Sequence, residues 1–176
     1  MNKRIYILGL LIIIVMGIFF QVGFSGYYST PEEAIKHSDF SDEPMESIID
    51  TVWVKEEPII FYISTQGNVC EMEFNKKEIF AKTGWRSKSI GILPTKTIKP
   101  EEIAPTRMGS GKSSDGKPKV VFGITKSPKA ETIKVNGEVP NFKKFQIQDE
   151  DYVLWYIIIQ TDELNIDKVK IRSDEQ

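Results

Sequence analysis

The stretch Met108-Gly109-Ser110-Gly111-Lys112-Ser113 ends in the Gly-Lys-Ser of a phosphate-binding loop. That loop needs a further glycine five residues earlier, because backbone amides must wrap the phosphates. Thr106 stands there, no apolar run leads in, and Ser114-Asp115-Gly116-Lys117-Pro118 follows in place of a helix. The segment reads as a flexible linker. For His37, the single histidine, no Ser/His/Asp or Cys/His arrangement can be argued from spacing. With Cys70 it makes two soft ligands, too few for a structural zinc site. Asp149-Glu150-Asp151 lacks the ligand spacing of a calcium loop and reads as a solvated hairpin turn. Glu32 and Glu33 suit a helix start better than an acid/base pair. Trp53, Trp85 and Trp155 fall in or beside strand-like runs, where core packing is the first expectation and an interface hot spot or carbohydrate stacking the second. No catalytic residue, metal ligand or cofactor follows from these patterns.

Charge is the other candidate for chemistry. Residues 27–75 carry two basic and eleven acidic residues, a net of −9, and residues 76–119 carry eleven basic and four acidic, a net of +7. Lys88, Lys96, Lys99, Arg107, Lys112, Lys117 and Lys119 outline a basic surface for an anionic partner, namely wall polymer, lipid headgroups or an acidic protein face. The competing reading is that this block meets the acidic block of the same chain. Nucleic acid is not an expected partner.

The elements that would position these residues begin with residues 5–20, sixteen uncharged and almost wholly apolar positions behind Lys3 and Arg4. Val22, Gly23 and Phe24 extend the run, so residues 5–24 suffice to cross a bilayer core of about 30 Å. Nothing basic follows until Lys36, which keeps the N-terminus in the cytoplasm and sends the C-terminus out. Residues 1–26 are expected to form a transmembrane signal anchor, or a signal peptide cleaved near Ser25. Cys70 is the only cysteine, so stability must come from packing, and its thiol is expected to be buried.

The rest reads as mostly β, sandwich-like or two small packed β lobes, with one short N-terminal helix after the single transmembrane helix. Residues 27–46 form that helix and a linker: Thr30 caps, Pro31 suits the first turn, and a second helical turn is expected at 45–49. Residues 47–92 make the first β segment, with strands at 51–54, 59–64, 69–74 and 85–92. Residues 93–118, rich in proline, glycine and serine, are a flexible connector. Residues 119–173 make the second β segment. There Asn136-Gly137 predicts a hairpin joining 131–135 to 143–147, residues 152–159 a central buried strand, and 168–172 an edge.

Several landmarks fall in a familiar order. Tyr-Ser-Thr-Pro-Glu-Glu-Ala-Ile at 28–35 follows the apolar segment, Ile-Ile-Phe-Tyr at 59–62 precedes a glycine turn and then Gly84-Trp85. Val121-Phe122-Gly123-Ile124 leads to Ile133-Lys134-Val135-Asn136-Gly137 and to Leu154-Trp155-Tyr156. The chain resembles the small membrane-anchored or exported proteins of Bacillus-type Gram-positive bacteria. The resemblance implies a place outside the cytoplasmic membrane, and it supplies no activity and no site residues.

Three functions fit this pattern. The first is a non-enzymatic, membrane-anchored extracytoplasmic module that binds another envelope protein. The second is a binder of anionic wall polymer or of the membrane surface through the basic block. The third is an envelope hydrolase whose carboxylates converge only in three dimensions.

Overall fold

The computed structural model describes residues 3–23, 25–40, 42–54, 56–79, 82–98, 109–112, 118–126, 130–158 and 171–173. Helix α1, Lys3–Gly23, has no acidic residue in its first turn and no basic residue in its last. Its described apolar side chains, Leu10 to Met16 among them, are exposed. Among the described residues no helix is long and apolar enough to cross a membrane. Side chains 5, 8, 19, 20 and 24 of the apolar run lie outside that description.

Helix α2, Pro31–Lys36, starts as its sequence predicts. Thr30 Oγ1 accepts the Glu33 N–H at 3.2 Å, and the Ser29 hydroxyl donates to the Glu33 carboxylate at 2.7 Å. Proline at the first helical position loses no hydrogen bond, because that N–H has no partner within a helix.

Four strands follow as an antiparallel meander: β1 (Met45–Val54), β2 (Glu57–Ser64), β3 (Val69–Ile79) and β4 (Lys82–Leu93), in that spatial order. The β2–β3 turn uses Gly67 at a φ of +75°, a value that glycine adopts without strain. The helical turn expected at 45–49 is instead the start of β1, bulged between Met45 and Ser47 and between Ile48 and Asp50. Pairing along β2 outweighs a five-residue helical preference, since so short a helix has little stability of its own.

The second sheet has the order β5-β6-β9-β8, with β5 (Gly109–Lys112), β6 (Pro118–Thr125), β8 (Asn141–Ile147) and β9 (Glu150–Ile158) all antiparallel. β7 (Ile133–Val135) pairs with β10 (Ile171–Ser173) as a separate ribbon. The Asn136-Gly137 turn forms with φ of 54° and 88°, yet it closes only the single bridge Val135–Glu138. Pro140 has no N–H to continue a ladder, and 143–147 pairs with β9 rather than with 131–135. β9 is the central buried strand expected at 152–159, and the carboxylate run sits at a two-residue turn with Gln148 and Asp149 at positive φ.

The two sheets share one core. Ile59, Phe61 and Ile63 of β2 meet Val120, Phe122 and Ile124 of β6 and Leu154 of β9, and the Phe61 and Phe122 rings cross at 4.8 Å. The alternate β2 residues Ile60 and Tyr62 point the other way, onto Ala34 and Ile35 of α2. Val121, Val153 and Trp155 of the second sheet face outward onto Ala130, Ile133 and Val135. Each sheet is therefore covered on both faces, which explains why β2 and β9 read as continuous apolar runs rather than alternating ones.

Part of the expected connector belongs to this core. Thr95, in a 3-10 turn at Thr95–Thr97, is buried and donates its hydroxyl to the Gly67 carbonyl at 2.6 Å. Ile98 packs between the sheets, and 109–112 is a strand. Positions 99–108 and 113–117 of the connector lie outside the described residues.

Candidate functional site

β3 alternates Val69-Cys70-Glu71-Met72-Glu73-Phe74, which puts Glu71 and Glu73 on the same face as Val69. Val69 belongs to the core between the sheets, so both carboxylates face into it, and they are only 6% and 9% exposed. Opposite them on β4 stand Gly91 and Ser89. A Cβ at Gly91 would lie 2.9 Å from Glu71 Oε2, so the missing side chain makes the room that this carboxyl occupies. Ser89 donates its hydroxyl to Glu73 Oε2 at 2.9 Å, and Lys88 Nζ lies 3.3 Å from the same oxygen. Glu71 Oε1 has no hydrogen-bond partner among the described residues.

The two glutamates therefore differ in their partners. Burial, and secondarily the negative charge of Glu73, pushes the Glu71 carboxyl up to about 8, with Lys88 pulling weakly the other way. At neutral pH Glu71 holds its proton, while Glu73 is matched by an ammonium and a hydroxyl. A protonated acid beside a paired carboxylate is the composition of an acid/base couple. Here, however, the couple lies between two sheets, where a polymeric substrate has no approach to groups that solvent barely touches.

A second polar group is partly buried behind the first sheet. Glu43 accepts from Asn68 Nδ2 at 2.8 Å through its carboxylate and from the Tyr62 hydroxyl at 3.2 Å through its carbonyl, and the Cys70 sulfur lies 4.0 Å from its Oε2. Burial first, and the Glu43 carboxylate second, push the Cys70 thiol up to about 12. The expectation of a buried thiol is met, and a thiol so hard to ionise is a poor nucleophile.

Lys88, expected on a basic partner surface, is exposed and also pairs with Glu73 of the acidic block. Lys96 is exposed in the 3-10 turn. Lys112 on β5 and Lys119 on β6 are placed by their backbones only, and Lys99, Arg107 and Lys117 lie outside the described residues. The phosphate-loop reading meets an obstacle in geometry: 109–112 is an extended strand paired with β6, not a turn that wraps an anion. His37 ends α2 and stacks on Tyr28 at 4.7 Å. Glu150 accepts from Lys126 at 2.7 Å and from the Tyr152 hydroxyl at 2.9 Å, while Asp151 accepts from Gln146 at 2.8 Å. Among the described residues no group of three or more His, Cys, Asp or Glu side chains could hold a metal ion.

The tryptophans divide. Trp155 is fully buried and Trp85 nearly so, as expected of core residues. Trp53 is 52% exposed near the end of β1, its ring edge-on to Trp85 at 6.0 Å. Ile48, on the same strand, is also exposed. β1 is an edge of the first sheet, hydrogen-bonded to β2 alone among the named strands.

No family model, curated protein or solved structure matches this chain.

Proposed function

We propose that the chain is a membrane-anchored extracytoplasmic module of a Gram-positive cell envelope, with its N-terminus in the cytoplasm, which binds another envelope protein without catalysing a reaction. Residues 5–24 are the anchor in this reading. Its support is the charge-free apolar run behind Lys3 and Arg4 and the unbroken backbone helix of 21 residues. The two packed sheets then form a sandwich-like domain on the outer side.

The observation that carries the binding function is the exposed apolar part of β1. A half-exposed tryptophan on an edge strand is the residue type that anchors protein interfaces. Two bulges interrupt the ladder of β1, and Glu46 and Asp50 add charge to it, devices that oppose indiscriminate strand addition. The partner would therefore be held by side chains at Trp53 and Ile48, with the strand edge as a frame.

Photo-crosslinking in intact cells tests this. A crosslinker placed at position 53 or 48 of the full chain should give one discrete adduct, and Trp53→Ala should weaken capture from position 48. A crosslinker at Lys143, exposed on β8, serves as the control. Identical adducts from all three positions, or none from 48 and 53, would remove the reading.

A further inference from the structure

The opposite edge of the first sheet is β4, and its composition is different. The segment 76–88, Lys-Lys-Glu-Ile-Phe-Ala-Lys-Thr-Gly-Trp-Arg-Ser-Lys, holds five basic residues and one acidic. On β4 itself Lys82, Arg86 and Lys88 are exposed, along with Thr83. The chain leaving α1 is fastened to this strand. Tyr28 and Trp85 exchange two backbone hydrogen bonds of 2.7 and 2.8 Å. A Cβ at Gly26 would lie 4.0 Å from the Arg86 guanidinium carbon, and Lys77 Nζ sits 5.2 Å from the centre of the Tyr27 ring.

The covalent chain limits how far this cluster can stand from α1. Tyr27 is four residues beyond Gly23, the last residue of the helix. Four residues reach at most about 14 Å when fully extended. If α1 spans the bilayer, Tyr27, Lys77 and Arg86 lie within or close to the headgroup layer on the outer side. That is the depth at which tyrosine rings settle and at which anionic lipid attracts lysine and arginine.

We propose that the β4 edge, through Arg86 and Lys82 together with Lys77 of the adjoining β3 and the Tyr27 ring, rests on the anionic phospholipid headgroups of the membrane that α1 crosses. This inference depends on the anchor proposed above. Its occupant is chosen by continuity with α1 and by charge: the edge is basic, and the lipid is the anion that the short tether brings to it. The contact fixes how the domain is oriented on the bilayer.

Cys70 is buried, so a cysteine introduced on the surface is the one reactive thiol of the native chain. The full chain carrying Thr83→Cys with a fluorescent label would be placed in lipid discs containing phosphatidylglycerol, with a nitroxide on a fraction of the headgroups. An Asn141→Cys label, on β8 of the second sheet, is the reference. The label at 83 should be quenched more than the label at 141, and the excess should fall at least about two-fold in high salt, in neutral lipid, or in Lys77→Glu with Arg86→Glu. Lys77→Gln with Arg86→Gln should give an intermediate loss and guards against misfolding of the charge-reversed chain.

Equal quenching at 83 and 141, or an excess indifferent to salt and lipid charge, overturns the headgroup contact while the anchor stands. Binding of soluble polyphosphate in detergent, with no excess quenching in anionic discs, also overturns it and assigns the basic edge to wall polymer. A chain that fails to float with vesicles and is extracted by carbonate overturns the anchor itself, and this inference with it.

Discussion

At the scale of the residue, the unusual group is Glu71. It sits between the sheets with one oxygen that has no hydrogen-bond partner among the described residues, and the gap left by Gly91 accommodates the other. A buried carboxyl with its pKa raised to about 8 binds a proton more tightly folded than unfolded, where the value is near 4.5. Folding stability from this group is therefore fully present below pH 4.5 and is lost progressively as pH rises towards 8. Glu71→Gln keeps the shape and removes the titration. Its stability should be flatter between pH 4.5 and 8, and greater than that of the parent by roughly 3 kcal/mol at pH 7. Urea unfolding midpoints across that range would check this, and parallel curves for the two proteins would refute it. The site was only partly legible. Alternation places Glu71 and Glu73 on one face of β3, but no local signal says that a second sheet, built from residues more than thirty positions away, covers that face.

At the scale of the element, local chemistry did most of the work where it was strong. The Thr30 cap, the Gly67 turn and the left-handed pair at 136–137 all form where their residues predict. The weaker signals yielded. The β8–β9 turn carries Gln148 at φ 51° and Asp149 at φ 66°, neither of them glycine. Both central residues of such a turn need positive φ, for which Asn-Gly is the preferred pair. Gln148→Asn with Asp149→Gly should therefore stabilise the protein, by about 1 kcal/mol. Thermal unfolding is the measurement, and a lower midpoint would mean that the Gln148 and Asp149 side chains contribute more than their backbone strain costs. The Asn136-Gly137 turn shows the converse case. Its residues select a turn type, but they cannot make the flanking segments pair when better partners exist in β9 and β10.

At the scale of the whole molecule, the two sheets are held by one core, with a polar tie at its edge where Tyr156 donates its hydroxyl to Asp50 at 3.1 Å. Phe61 is fully buried at the centre, its ring 4.8 Å from Phe122 and 6.1 Å from Tyr156. Phe61→Ala should cost about 3–5 kcal/mol, and both sheets should unfold in one transition because neither keeps its inner face covered without the other. Denaturant curves followed at separate probes, one on each sheet, would show this. Two separated transitions would mean two independent lobes.

The sequence by itself determined what depends on near neighbours: a strongly apolar N-terminal run, the capped start of a helix at Thr30 and Pro31, the strand at 59–64, most of the buried strand expected at 152–159, and the turns between close partners. It also determined that the bulk of the chain is β, because β-branched and aromatic residues recur in short runs bounded by turn residues. Only the tertiary structure decided that 45–49 extends rather than coils, that Gly109-Ser110-Gly111-Lys112 is a strand, and that β6 pairs with β9 across 24 intervening residues. It alone decided that Glu71 is buried and Trp53 exposed. The physical reason is common to all of these. The free energy of a strand pair or of a covered face comes from residues distant along the chain, whereas a cap or a tight turn is completed within four or five residues.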